Sequence, residues 1–214
     1  LGEEAISTSL MAGAIGLAIV FIFMCIVYLL PGLASSIALV IYTGIVIVLL
    51  NAFNITLTLP GIAGIVLSIG MAVDANVIIF ARVKEEMAAG TSVKSSLKSG
   101  FQKAMSAIVD GNMTTLIAAI VLWVKGTGSV KGFAQTLALG IVVSMFTALV
   151  VTRIIIYSLY AVGLRSPKLY GSQKPRKERD FLKRRVLSFS ISLVIIVAGF
   201  AMMGVNSANG KGAF

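Results

Sequence analysis

Apolar residues fill six stretches of this chain, at 8–30, 34–52, 60–81, 107–124, 133–161 and 186–204. Each approaches or exceeds the roughly 20 residues that a helix needs to cross the hydrocarbon of a bilayer. The polar positions mark the breaks. Pro31-Gly32 separates the first two stretches, because proline ends a helix at or before the residue preceding it. Asn51 to Thr58, followed by Pro60, separates the second from the third. Residues 82–106 are polar and basic, Gly126 to Gly132 make a short glycine-rich turn, and 165–185 form a second basic linker. The pattern predicts an all-α, polytopic transmembrane bundle.

Over 92–108 a different period appears. Val93, Leu97, Phe101, Ala104, Met105 and Ile108 recur at three- and four-residue steps, and Lys94, Lys98 and Lys103 take the other face. Thr91 or Ser92 can cap the start after Gly90. This spacing predicts a separate amphipathic helix, either lying at the membrane surface or serving as a solvated connector.

Composition agrees with the pattern. Mean hydropathy is +1.01, with 58% hydrophobic and only 12% charged residues. That charged share is about half of what soluble domains carry. The net charge of +10 is explained by topology. With 82–106 on the cytoplasmic side, alternation of the spans puts 15 of the 18 Lys and Arg residues there, leaving Lys125, Lys131 and Lys211 outside. Both chain ends then lie outside. The basic run "KPRKERDFLKRR" suits anionic lipid beside a spanning helix better than nucleic acid.

One cysteine and no histidine exclude an intrachain disulfide and the usual zinc and haem sites. No phosphate-binding loop is present, so no enzyme site, metal or cofactor is expected. The chain reads as a piece of a longer polypeptide.

The candidate chemistry lies in the membrane. Of eight acids, Asp74 alone sits deep in a span, about 20 Å from Gly61 along the helix. A carboxylate there costs roughly 2.5–3.5 kcal/mol on insertion scales and usually marks a pathway. Desolvation raises the pKa of a carboxyl at such depth toward neutrality, which fits a proton relay. The alternative is a protonated acid that only hydrogen-bonds a neighbouring helix. Asn76 faces elsewhere on the same helix. Asp110, Asn112, Thr114 and Thr115 open the fourth span and would complete a polar patch with Asp74 if the two spans pack side by side. For Asn112 and the threonines ordinary interhelical hydrogen bonding is an equal reading, and Asp110 also suits a helix N-terminus. Gly13 and Gly16, and Gly61, Gly64 and Gly70, are placed for close helix packing.

Two long motifs, "LPGIAGIVLSIGMAVDANVIIFARVKEE" (59–86) and "AIVDGNMTTLIAAIVLWVKGTGSVKGFAQTLALGIVVSMFTALVVTR" (107–153), resemble the SecD family of bacterial protein-export components. The resemblance covers 1–165 as a SecD-like domain of five helices. Residues 166–185 follow as a cytoplasmic linker, and 186–214 look like the first SecF helix of a fused SecD–SecF protein. It implies one half of a resistance–nodulation–division type membrane domain. The acid of the "VDAN" motif, here Asp74, then serves proton-driven conformational change, with protons as the coupling ion and no other cofactor. Gly126, Gly128 and Gly132 fall in a packed turn feeding the next helix. The implied partners are the SecF half of the same chain, the Sec channel, and unfolded preprotein held by outer domains, in the bacterial plasma membrane. Where the family has "DAN", residues 110–112 read Asp-Gly-Asn. A small-molecule or lipid exporter of the same superfamily, which usually carries two adjacent acids, and a passive structural subunit are the alternatives. Ala75 beside Asp74 favours SecD.

Overall fold

The computed structural model describes residues 2–171 and 185–208, and the chain divides into units at 1–175 and 176–214. Among the described residues every regular element is helical: α1 Gly2–Tyr28, α2 Leu30–Ala52, α3 Leu59–Ala88, α4 Val93–Lys125, α5 Gly128–Phe146 and α6 Thr152–Ala161 in the first unit, and α7 Arg185–Ala208 in the second. A π-helical turn, Thr147–Val151, joins α5 to α6 into one rod, and a short 3₁₀ turn follows at Pro167–Tyr170. Five helices of the first unit, counting α5–α6 as one, are long and apolar enough to span a membrane. The chain is a multi-pass membrane protein. In α7 an apolar stretch runs over Phe189–Gly199, and its described side chains there are exposed.

Helices α2, α3 and α5 form the interior, whereas α1 and α4 bury little of themselves. The turns follow local chemistry. The Thr58 side chain accepts from the Gly61 backbone nitrogen at 3.2 Å and caps α3, with Pro60 in its first turn. The α1–α2 turn is so tight that Leu29 adopts φ 53°, and a Cβ on Gly32 would overlap the Met24 carbonyl.

Small residues set the interior spacing. Gly64 meets Thr136 of α5, and Gly140 of α5 meets Ser68 of α3, each with no room for a Cβ. Gly100 of α4 does the same against Val83 of α3.

The amphipathic stretch 92–108 is neither a separate interfacial helix nor a solvated connector. It is the first half of the 33-residue α4, which continues without interruption into the fourth span. Its apolar face is buried, with Leu97, Phe101, Ala104 and Ile108 packed in one cluster with Ile79, Phe80 and Val83 of α3. The polar residues at 110–115 do not end the helix because their side chains bond its own carbonyls. Asn112 donates to Ile108 at 2.8 Å and Thr114 to Asp110 at 3.2 Å.

Candidate functional site

The site is built on α3. Its inner face carries Gly61, Gly64, Ser68, Ala72, Ala75, Asn76, Ile79 and Val83, all buried. Its outer face carries Ala63, Val66, Leu67, Gly70, Asp74, Arg82 and Glu85, all exposed. Apart from the adjacent Val66 and Leu67, successive outer positions fall three, four or eight residues apart, so they form one stripe along the helix. Asp74 is its only acid before the Arg82–Glu85 ion pair of 2.7 Å at the helix end.

Among the described residues Asp74 has neither a hydrogen-bond nor an ion-pair partner. Gly70, one turn earlier, has open space where a Cβ would stand. Asp74 is exposed, and Ala63, Val66, Leu67 and Gly70 of the same stripe form one wall of an open groove whose other wall is α1.

The third and fourth spans do pack side by side, antiparallel. Gly100 touches Val83. Nine residues back along α3 is Asp74, and nine residues on along α4 is Val109. Asp74 and Asp110 thus stand at one level of the bundle, and both are exposed. No hydrogen bond joins them. Ser106 donates to the Asp110 carboxylate at 3.2 Å, and Thr115 bonds back to Gly111 at 3.5 Å. Asp110 and Asn112 lie near that level, Thr114 and Thr115 more than a turn beyond it, and all four find their side-chain partners on α4 itself.

Asn76 turns the other way and is buried. Its Nδ2 donates to the Ala72 carbonyl at 3.0 Å, while Oδ1 has no partner. Ser35 and Ser36 of α2 line the small cavity beside it.

The glycines divide by environment. Gly61 lies near the Thr58 hydroxyl, and a Cβ on Gly132 would come within 2.8 Å of that same atom, so the starts of α3 and α5 meet there. Gly126 caps α4, where a Cβ would overlap the Leu122 carbonyl, and Gly128 has φ +54°. Gly16 and Gly70 line the groove between α1 and α3, with open space where a Cβ would stand. Among the described residues no cluster of metal-ligating side chains occurs.

Sequence reasoning passed over three contacts that fix this scaffold. Tyr42 of α2 bonds Ser68 of α3 at 2.6 Å in the interior. Lys84 donates to the Val27 carbonyl at 2.9 Å and stands over the Tyr28 ring, tying α3 to the end of α1. Tyr170, fully buried, donates to the Leu164 carbonyl at 2.9 Å. Burial pushes the Tyr170 phenol above its ordinary value, and Tyr160 adds to the effect. Tyr42 was hidden because an aromatic in an apolar run reads as core, and Tyr170 because it lies in the basic stretch 165–185, which reads as a linker.

Such an arrangement, a helical bundle with close glycine contacts and an exposed carboxylate on one helix, is that of a polytopic membrane domain. The family model described as protein export membrane protein SecD/SecF, C-terminal, matches residues 1–162. The chain belongs to this family, as the C-terminal membrane part of SecD. The protein translocase subunit SecD of Acidaminococcus fermentans is 51% identical over 174 residues, covering 81% of this chain and 42% of that one. Protein translocase subunit SecDF of Bacillus subtilis is 37% identical over 227 residues, covering 97% of this chain and 31% of that one. The crystal structure of SecDF from Thermus thermophilus, described as a translocon-associated membrane protein, superposes with a TM-score of 0.78 at 33% identity. It covers 98% of this chain and 28% of that chain. The chain spans less than half the length of these relatives.

Proposed function

We propose that this chain is the membrane part of a SecD–SecF protein-export auxiliary, and that it uses the protonmotive force to assist late steps of preprotein translocation. The observation that carries the reading is Asp74, an exposed carboxylate midway along α3 with no hydrogen-bond or ion-pair partner among the described residues. Its protonation removes the penalty of a charge in the membrane, so a proton shifts the balance between two packings of the membrane halves. The stripe around it is the surface for the SecF half of the same polypeptide. Gly70, open on that stripe, leaves room for close approach. The other partners in this reading are the Sec channel and an unfolded preprotein gripped by outer domains. The membrane is the bacterial plasma membrane, with 82–106 and 165–185 in the cytoplasm and anionic lipid against the basic linker. Protons are the coupling ion, and no other cofactor takes part.

The test places Asp74→Asn in the full-length parent and follows completion of preprotein transport in membrane vesicles after the ATP-driven step is halted. A proton gradient that speeds completion in the parent but not in the variant supports the coupling role. An equal response in both removes it and leaves Asp74 as a packing residue.

A further inference from the structure

A second feature lies away from Asp74, at the end of the bundle where α3 turns into α4. A groove of about 380 Å³ opens there between α4 and α6. Its lining is Lys94 and Lys98 of α4 with Arg153, Ile154 and Tyr157 of α6, so three of its five residues are cations and none is an acid. Lys94 and Lys98 stand one turn apart on one face of α4. Arg153 forms part of the other wall, its Cζ 6.0 Å from the Phe101 ring centre and 5.8 Å from that of Tyr157. The two rings hold the planar guanidinium at the groove. Among the described residues none of the three cations is in an ion pair.

The neighbouring sequence brings no counter-charge. Glu85 and Glu86 at that end of α3 are paired with Arg82 and Lys103, and the stretch 165–185 after α6 adds nine cations against two acids. Helix stability does not explain the cluster either, because Lys94 is in the first turn of α4, where the dipole disfavours a cation and favours an anion. Depth explains it better. Lys98 lies about 40 Å from Lys125 along α4, and Arg153 about 38 Å from Gly128 along the α5–α6 rod. The hydrocarbon of a bilayer is about 30 Å thick. With the α4–α5 turn at one surface, the three cations stand at the headgroup level of the other, a level that also suits Tyr157. From there toward the α4–α5 turn, Ile154, Val150 and Phe146 are exposed at successive four-residue steps. They make an apolar track from the cations into the hydrocarbon. A soluble anion would use the cations alone, whereas a phosphate joined to an acyl chain uses both.

We propose that this groove binds an anionic phospholipid of the leaflet on the side of the α3–α4 turn, its phosphate held by Lys94, Lys98 and the Arg153 fork and an acyl chain lying along Ile154, Val150 and Phe146. The site is separate from Asp74 and does not rest on proton coupling.

The test places the full-length parent in vesicles of equal parts phosphatidylglycerol and phosphatidylcholine. One lipid at a time carries a diazirine near the head of its acyl chains, and after illumination the labelled segments are mapped by mass spectrometry. Relative to the other labelled segments, 146–157 is expected to take up label about fivefold more from phosphatidylglycerol than from phosphatidylcholine, roughly the factor that one cation near the surface supplies. Lys94→Gln with Lys98→Gln, both at exposed positions, lowers that ratio severalfold, whereas Lys94→Arg with Lys98→Arg keeps it. Excess glycerophosphoglycerol, the soluble headgroup, leaves the labelling unchanged. A ratio no higher than elsewhere means ordinary surrounding lipid and overturns the proposal. So does a ratio unmoved by loss of both lysines. Labelling abolished by the soluble headgroup means a site for a soluble anion, and also overturns it. Absence of label from either lipid means that protein covers the groove, and overturns it equally.

Discussion

The Tyr42 hydroxyl donates to Ser68 Oγ at 2.6 Å, and Ser68 in turn donates to the Ile65 carbonyl at 2.8 Å. Gly140 of α5 closes over the same spot, with no space for a Cβ beside the Ser68 oxygen. Three helices therefore meet at one polar point in an apolar interior. Tyr42→Phe removes one hydrogen bond while Ser68 keeps its own acceptor, so the expected loss is about 1 kcal/mol. Gly140→Val wedges α3 from α5 and costs about 1–3 kcal/mol by overpacking. Reversible unfolding in mixed micelles measures both, and the expected order is Gly140→Val well below Tyr42→Phe.

Glycines in one chain should respond in opposite directions. Gly100 faces Val83, whose backbone nitrogen would lie 2.9 Å from a new Cβ. Gly100→Val is expected to destabilise by about 1–3 kcal/mol and to loosen the α3–α4 hairpin. Gly111 lies within α4 with nothing within 4 Å, so Gly111→Ala is expected to stabilise by about 0.5–1 kcal/mol through helix propensity alone. Equal effects at the two positions would contradict the packing described above.

Leu29 holds the α1–α2 turn at φ 53°, ψ −119°, a region that glycine enters freely and leucine does not. Its side chain is exposed. Leu29→Gly is expected to leave stability unchanged or raise it by up to about 1 kcal/mol, because relief of strain offsets the greater freedom of the unfolded chain. A clear loss of melting temperature would show that the turn is held by the side chain.

Tyr170 gives a pH dependence outside the membrane. Its phenol is raised above 10.0, chiefly by burial and then by Tyr160. The neutral form is the one the fold accommodates. Its contribution is therefore full below the ordinary phenol value and is lost as pH rises through the elevated one. Segment 164–171 is expected to open above about pH 10. Tyr170→Phe is expected to lose about 1 kcal/mol at neutral pH with the Leu164 hydrogen bond, and to flatten the alkaline limb. A stability profile across alkaline pH checks both.

Among the described residues, five of the six apolar stretches stand as helices long enough to span, and Pro60 and the Thr58 cap mark the third; the break between the first two falls at Leu29, however, because Pro31 suits the first turn of α2 instead of ending α1. The continuity of α4 was not legible. Asp110-Gly111-Asn112 reads as a boundary, yet Asn112 and Thr114 turn back onto carbonyls of their own helix, which lets the backbone pass through. The outer stripe of α3 was legible only in part. Depth along the helix singled out Asp74, whereas the face it takes depends on which neighbours pack against α3. That packing is decided by long-range contacts such as Gly64 with Thr136.

The π-helical turn at Thr147–Val151 interrupts the rod from Gly128 to Ala161, with the Thr147 hydroxyl bonded to Val143 at 2.7 Å and the Thr152 hydroxyl to Thr147 at 3.2 Å. A wider turn of this kind amounts to one surplus residue, and each residue rotates an α-helix by about 100°. The rod is thereby two helices out of phase. Upstream, Leu137, Ala138 and Ile141 pack with Ala119 of α4. Downstream, Ile156 joins the cluster of Phe80 and Phe101, and Arg153 lies over the Phe101 and Tyr157 rings. Deleting one residue here would restore a regular helix and misdirect everything beyond it, so the imperfection is what lets a single rod satisfy two differently oriented neighbourhoods.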